Sequence, residues 1–151
     1  MKTLLTGATG LIGKELGKKL ASLDHSLVVL TRNPKRARLH LPFQAQIFPW
    51  NPVQELPPLE AYHEVEAIFH LAGESVAQGR WFNKRKREIR NSRVLGTRNL
   101  LEGARKFRSQ ILKKIIFASA VGFYGDRKNE LLTEESKPGS GFLAEVCQLE
   151  F

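Results

Sequence analysis

Lys2-Thr3-Leu4-Leu5-Thr6-Gly7-Ala8-Thr9-Gly10-Leu11-Ile12-Gly13 follows the initial methionine. The first five of these residues form a short run centred on Leu4 and Leu5 that stops at a glycine, which predicts a buried strand over 2–6. Ile12, Leu16, Leu20 and Leu23 recur at helical spacing, which predicts a helix over 11–23. Three glycines fill the junction. Gly7 lets the chain turn sharply out of the strand. Gly10 carries no side chain, so a ligand can approach the backbone, and Gly13 lets the helix lie close to the sheet. The start of the helix then offers unpaired N–H groups and a partial positive charge. A G-x-x-G-x-x-G bend at a strand-to-helix junction suits the pyrophosphate of a dinucleotide, although it is one residue longer than the common fingerprint.

Outward from that bend, strands and helices alternate. Ser26–Thr31 reads as a second strand. Asn33-Pro34 opens a short basic helix, Asn as the cap and Pro at the first position. Gln44–Phe48 is a weak third strand, and the four prolines between 49 and 58 mark a loop. Val65–Ala72 is a fourth strand. A long helix is predicted over 81–107 with Ile89, Val94, Leu100, Leu101, Ala104 and Phe107 facing inward. Lys114–Ser119 is a fifth strand, residues 120–141 a loop rich in glycine and acids, and a last helix starts near Phe142. This alternation predicts an α/β fold, a Rossmann-type doubly wound parallel sheet. Neither an internal repeat nor a low-complexity tract interrupts it.

The end of the second strand bears on nucleotide choice. A site that prefers NAD places a carboxylate there for the ribose hydroxyls. Here the residues are Thr31-Arg32-Asn33, followed by Lys35 and Arg36. Arg32 can pair with a 2′-phosphate, so the expected cofactor is NADP(H), with NAD(H) the weaker ligand. The alternative is that these cations form an ordinary solvated helix face.

The 151 residues suit one domain, and 42% of them are apolar, as in a globular chain. Cys147 is the sole cysteine, which excludes an internal disulfide and a cysteine-built zinc site. No apolar run approaches the roughly 18 residues of a membrane helix. The opening is too short for a secretory signal, so the expected setting is cytoplasmic. Net charge is +9, concentrated in residues 79–114, which hold 13 Lys/Arg against two acids, while the rest of the chain is slightly acidic.

Five blocks then carry a resemblance: Thr6–Gly13 (TGATGLIG), His70–Glu74 (HLAGE), Ser92–Leu101 (SRVLGTRNLL), Ala118–Asp126 (ASAVGFYGD) and Thr133–Cys147 (TEESKPGSGFLAEVC). Together they resemble the extended short-chain dehydrogenase/reductases, most of all the atypical branch labelled epimerase family proteins. The resemblance implies a cofactor-binding Rossmann domain followed by a smaller substrate domain. In it, Gly7, Thr9, Gly10, Leu11, Ile12 and Gly13 hold the pyrophosphate side. Thr31 and Arg32 meet the adenosine ribose side, and Leu71, Ala72 and Gly73 line the adenine and ribose edge. Glu88 and Arg93, on the long helix, face the cofactor. Arg93 stands where the wider family usually has Asn. Ser119 matches the catalytic serine position.

Two departures qualify that picture. The family reaction uses a Tyr and a Lys four residues apart, the lysine lowering the tyrosine pKa so that the hydroxyl moves a proton. The matching positions here are Phe142 and Val146, and Gly139–Phe151 contains neither Tyr nor Lys. Tyr124 is a substitute candidate or else a structural hydroxyl, and Ser119 either polarises a substrate oxygen or merely ends a strand. The second departure is length. The expectation is an N-terminal portion, incomplete at its C-terminus, with the substrate domain absent. In the expected strand order 3-2-1-4-5 the fifth strand would be an uncovered apolar edge, and the chain would self-associate through it.

Other residues suggest less. His25, His40, His63 and His70 lack metal-ligand spacing, so no metal is expected. Glu134-Glu135 and the Glu64/Glu66 pair read as loop charges, and Trp81-Phe82 as an anchor for the long helix. Lys84-Arg85-Lys86-Arg87 could touch nucleic-acid phosphates, but no interleaved aromatics accompany it, and a helix face partly serving an anionic cofactor or substrate is the better reading. The leading function is an NADP(H)-binding, epimerase-like oxidoreductase domain acting on a small molecule. The alternative is a catalytically inactive nucleotide-binding or regulatory module.

Overall fold

The structure is a computed structural model describing residues 1–77, 79–107 and 111–150. The chain divides into two compact units, Met1–Phe117 and Ala118–Phe151. Arg108 of the basic segment and Phe151 lie outside the described residues.

The first unit carries β1 (Lys2–Thr6), α1 (Leu11–Ala21), β2 (Ser26–Thr31), α2 (Pro34–His40), β3 (Gln46–Pro49), β4 (Ala67–His70), α3 (Asn83–Phe107) and β5 (Lys114–Phe117). All five strands are parallel and ordered β3-β2-β1-β4-β5, the predicted order. In β1, Thr3 to Thr6 are fully buried because β2 and β4 flank it on both sides.

Side chains alternate across the sheet, and this period divides the core. Leu4 sits in register with Val28 and Ile68. These three pack with Leu30, Trp50, Tyr62, Leu100 and Ala104 on the α3 face. One residue on, Leu5 pairs with Val29 and Phe69 and packs with Ala8, Leu16, Leu20 and Phe43 on the α1 face. Helical layers on both faces explain why the strands read as continuous apolar runs.

Several boundaries differ from the sequence reading. α1 ends at Ala21, not Leu23, because Asp24 takes a left-handed φ of 57° and reverses the chain. Ile12 and Leu23, placed on the buried stripe by periodicity, are exposed; Gly13, Gly17 and Leu20 are the residues against the sheet. On α3 the buried stripe is Ile89, Ser92, Gly96, Thr97, Leu100, Gly103 and Ala104. Leu101 is exposed, while Val94 and Phe107 are half-buried. Small residues hold that face because α3 lies close to a loop: a Cβ at Gly103 would come within 2.6 Å of the Tyr62 hydroxyl. Tyr62 sits in a 3-10 turn at Leu59–Tyr62 and donates to the Leu100 carbonyl at 2.7 Å.

The second unit packs a 3-10 turn, Val121–Tyr124, against α4 (Phe142–Glu150). The Gly139 amide donates to the Phe123 carbonyl at 2.9 Å, which ties the two ends of the intervening loop. Among the described residues no helix is long and apolar enough to cross a membrane.

Candidate functional site

The bend after β1 is built by backbone approach. Gly7 has φ +69°, and a Cβ on it would lie 2.6 Å from the Leu71 carbonyl carbon. The Gly10 amide donates to the Gly7 carbonyl at 3.0 Å, closing the turn. A Cβ at Gly13 would fall onto that same Gly7 carbonyl oxygen, so the first turn of α1 rests directly on the bend. No side chain caps α1. Its first N–H groups therefore have no intrahelical acceptor and face outward with the positive end of the dipole.

This terminus opens on a cavity of about 740 Å³. Gly7, Ala8, Thr9 and Gly10 come from the bend, Leu30, Thr31 and Arg32 from the end of β2, Trp50 to Val53 from after β3, and Leu71 to Glu74 from after β4. Lys84, Arg87, Glu88, Asn91 and Ser92 of α3 complete the wall. The cavity thus lies at the carboxyl ends of parallel strands, where the order reverses between β1 and β4, the crevice in which doubly wound sheets bind ligands. A Cβ at Gly10 would meet only the Gly7 oxygen, at 3.3 Å, so the missing side chain leaves room beside the uncapped amides for an anionic group.

The β4 rim is fastened by Thr6. Its hydroxyl oxygen accepts from the amides of Leu71 at 3.2 Å and Ala72 at 3.1 Å. With both lone pairs engaged, the hydroxyl hydrogen goes to His70 Nδ1, 2.7 Å away. The neutral His70 ring accordingly carries its proton on Nε2, which is buried without a hydrogen-bond partner among the described residues. Burial pushes the His70 pKa down to about 4.

Charges line the other rim. Glu74 Oε1 accepts from Arg32 Nη1 at 2.9 Å, and Oε2 accepts from Arg85 Nη1 at 3.2 Å. Partial burial raises the Glu74 carboxyl, but the hydrogen bonds and charges of Arg32 and Arg85 outweigh it and hold the group below the usual carboxylate range. Arg85 also bonds Glu88 at 3.2 Å. Arg93 lies beside Gly73 and donates to the carbonyls of Glu74 and Ile89.

Of the residues singled out from sequence, Gly7, Thr9, Gly10, Thr31, Arg32, Leu71, Ala72, Gly73 and Glu88 line this one cavity. Leu11, Ile12, Gly13 and Arg93 are not among its lining residues. Leu11 and Ile12 point their side chains to solvent, Gly13 is pressed onto the bend, and Arg93 braces the loop that carries Glu74. Ser119 and Tyr124 belong to the second unit. Ser119 is exposed, two residues beyond the end of β5, and the Tyr124 ring meets Phe123 edge-on at 5.2 Å. Trp50 to Val53 and Asn91 were given no role from sequence; Glu74 stood in the HLAGE block without one, and Lys84 and Arg87 belong to the basic run whose face was expected partly to serve an anionic cofactor or substrate. Asn91 follows Lys84 and Arg87 at helical spacing on one polar stripe, which apolar periodicity does not mark.

Known proteins match this arrangement. The model of the NAD dependent epimerase/dehydratase family matches residues 3–144. An epimerase family protein of Mycobacterium leprae is 31% identical over 144 residues, 95% of this chain and 44% of that protein. The epimerase family protein YfhF of Bacillus subtilis is 33% identical over 152 residues, 99% of this chain and 48% of that protein. The chain thus spans about half the length of the curated relatives it matches. Among solved structures, the human epimerase family protein SDR39U1 with NADPH superposes with a TM-score of 0.78 at 23% identity, covering 99% of this chain and 47% of that one. The UDP-glucuronic acid 4-epimerase of Bacillus cereus with NAD gives 0.76 at 21% identity, covering 99% and 50%. A glycine bend under an uncapped helix, a crevice at the strand ends and a family match over nearly the whole chain converge: this chain belongs to the NAD dependent epimerase/dehydratase family.

Proposed function

We propose that this chain is the NADP(H)-binding domain of an epimerase-like oxidoreductase, with Arg32 reading the 2′-phosphate. The observation that carries the reading is Arg32 on the cavity wall at the end of β2, where an NAD-preferring site would set a carboxylate. The amides at the start of α1 hold the diphosphate, and the wall of Trp50 to Val53 with Leu71 to Gly73 encloses the adenosine end. Lys84 and Arg87 add positive charge for an anionic ligand. When bound, the nicotinamide supplies hydride transfer. Phe142 and Val146 can neither move a proton nor tune one, and Ser119 and Tyr124 are the residues of this chain proposed for a proton step. The alternative reading is a catalytically inactive nucleotide-binding or regulatory module. NADPH oxidation against a panel of carbonyl compounds and sugar nucleotides separates the two readings.

Arg32→Ala tests the cofactor assignment. Loss of a charge-assisted pair weakens NADPH binding about 10- to 100-fold and leaves NADH within about twofold. Equal losses for both nucleotides, measured by titration calorimetry, contradict the assignment.

We also propose that copies of the chain associate through β5, which among the described residues pairs only with β4 and carries the exposed Ile116. Light scattering is expected to show mass rising with concentration; a constant monomer mass contradicts it.

A further inference from the structure

We propose that Glu74 is a built-in competitor for the 2′-phosphate, a specificity-determining carboxylate that limits how strongly the site prefers NADP(H) over NAD(H). The inference rests on the cofactor reading above. In a site that prefers NAD, the carboxylate that accepts from the ribose hydroxyls stands at the end of the second strand. Here that strand ends in Arg32, and a carboxylate reaches the same place from the loop after β4.

The two partners differ in freedom. The Arg32 side chain is 68% exposed and that of Glu74 only 26%. Glu74 is held by its own backbone: its amide donates to Ser92 Oγ at 3.0 Å, and its carbonyl accepts from Arg93 at 3.1 Å. Arg32 is therefore the partner that swings. An incoming phosphomonoester carries about −1.5 to −2 charges and takes over the guanidinium. Glu74 is not stranded by that exchange, because Oε2 keeps Arg85, which in turn keeps Glu88. Its negative charge nevertheless stays beside the phosphate and opposes it. With NADH there is no phosphate to repel, Arg32 stays on Glu74, and the carboxylate retains a free lone pair for a ribose hydroxyl.

The test is calorimetric titration of the full chain with NADPH and with NADH, for the parent, Glu74→Gln, Arg32→Ala and the double variant. Glu74→Gln is expected to tighten NADPH about three- to tenfold and to leave NADH unchanged or weaker. In the Arg32→Ala background that gain shrinks, because the ion pair no longer has to be broken and only the direct repulsion of the phosphate is left to remove. An unchanged or weaker NADPH affinity, an equal gain for both nucleotides, or a gain undiminished without Arg32 overturns the proposal while leaving the cofactor reading intact. A parent that binds neither nucleotide overturns both. Glu74→Ala carries the same expectation as a second variant, and failure of both to fold by circular dichroism assigns Glu74 a structural role and also overturns the proposal.

Discussion

Gly7→Ala is expected to lower the unfolding free energy by roughly 2–5 kcal/mol, the sum of a left-handed backbone cost and an overpacking cost. Both costs act at one atom. At φ +69° an added Cβ is strained wherever it points, and here it points at the Leu71 carbonyl carbon, 2.6 Å away, and the Ala72 amide nitrogen, 2.8 Å away. Those are main-chain atoms of the segment that Thr6 fastens, so no rotamer change relieves them. Relief requires β1 and the β4 exit to separate, which opens the cavity between them. Urea unfolding followed by circular dichroism measures the change. A midpoint and slope equal to the parent's would contradict the close approach.

The second large effect is acid lability. His70 is 2% exposed, and burial lowers its pKa from the ordinary 6.5 to about 4. As pH falls through 6.5 the unfolded chain takes up a proton that the folded chain refuses until about pH 4. This contribution is therefore fully present above pH 6.5, declines between the two values and is flat below the lower one. The loss amounts to about 3 kcal/mol across the window. Protonation would also set a second donor against the Thr6 hydroxyl, whose oxygen already accepts from Leu71 and Ala72, so acid loosens the cavity rim together with the core. Glu66 and Glu74, both held below the usual carboxylate range, act at lower pH, which separates the windows. Unfolding free energies near pH 7 and pH 4.5 should differ less in His70→Asn, whose amide oxygen accepts from Thr6 in place of Nδ1. An identical pH dependence in parent and variant contradicts this role for His70.

The strands, their order and the glycine bend were largely readable from sequence because buried parallel strands carry short apolar centres, Leu4-Leu5 and Leu27 to Leu30: Lys2–Thr6 and Ser26–Thr31 stand where they were predicted, while β4 and β5 each end two residues before the predicted Ala72 and Ser119. The cap of α2 was equally legible, since the Asn33 side chain accepts from the Arg36 amide and Pro34 follows it. What stayed hidden depends on distant partners. Apolar spacing on α3 put Leu101 inward, but Gly96 and Gly103 make the contact face, and small residues carry no hydrophobic signal. Trp50 lay in a stretch read only as proline-rich loop, yet its amide continues the ladder to the Thr31 carbonyl and its ring is buried. His70 reads from sequence as a buried, hydrogen-bonded histidine near a strand end, which it is, but its partner Thr6, 64 positions away in sequence, is set only once β1 and β4 are paired. Glu74 was visible within HLAGE but its charge partners, Arg32 and Arg85, come from two other elements. Local pattern therefore recovered the scaffold and most of the phosphate bend, while the polar rim required the tertiary fold.

The central claim, that main-chain amides at the Gly7–Gly13 bend grip the diphosphate of a nicotinamide dinucleotide, is tested most directly by titrating the folded chain with NADPH and with NADH in a calorimeter. Saturable one-to-one binding of both, tighter for NADPH, is the expected result. Folded protein that gives no heat with either nucleotide, and shows no rise in melting temperature in their presence, contradicts it.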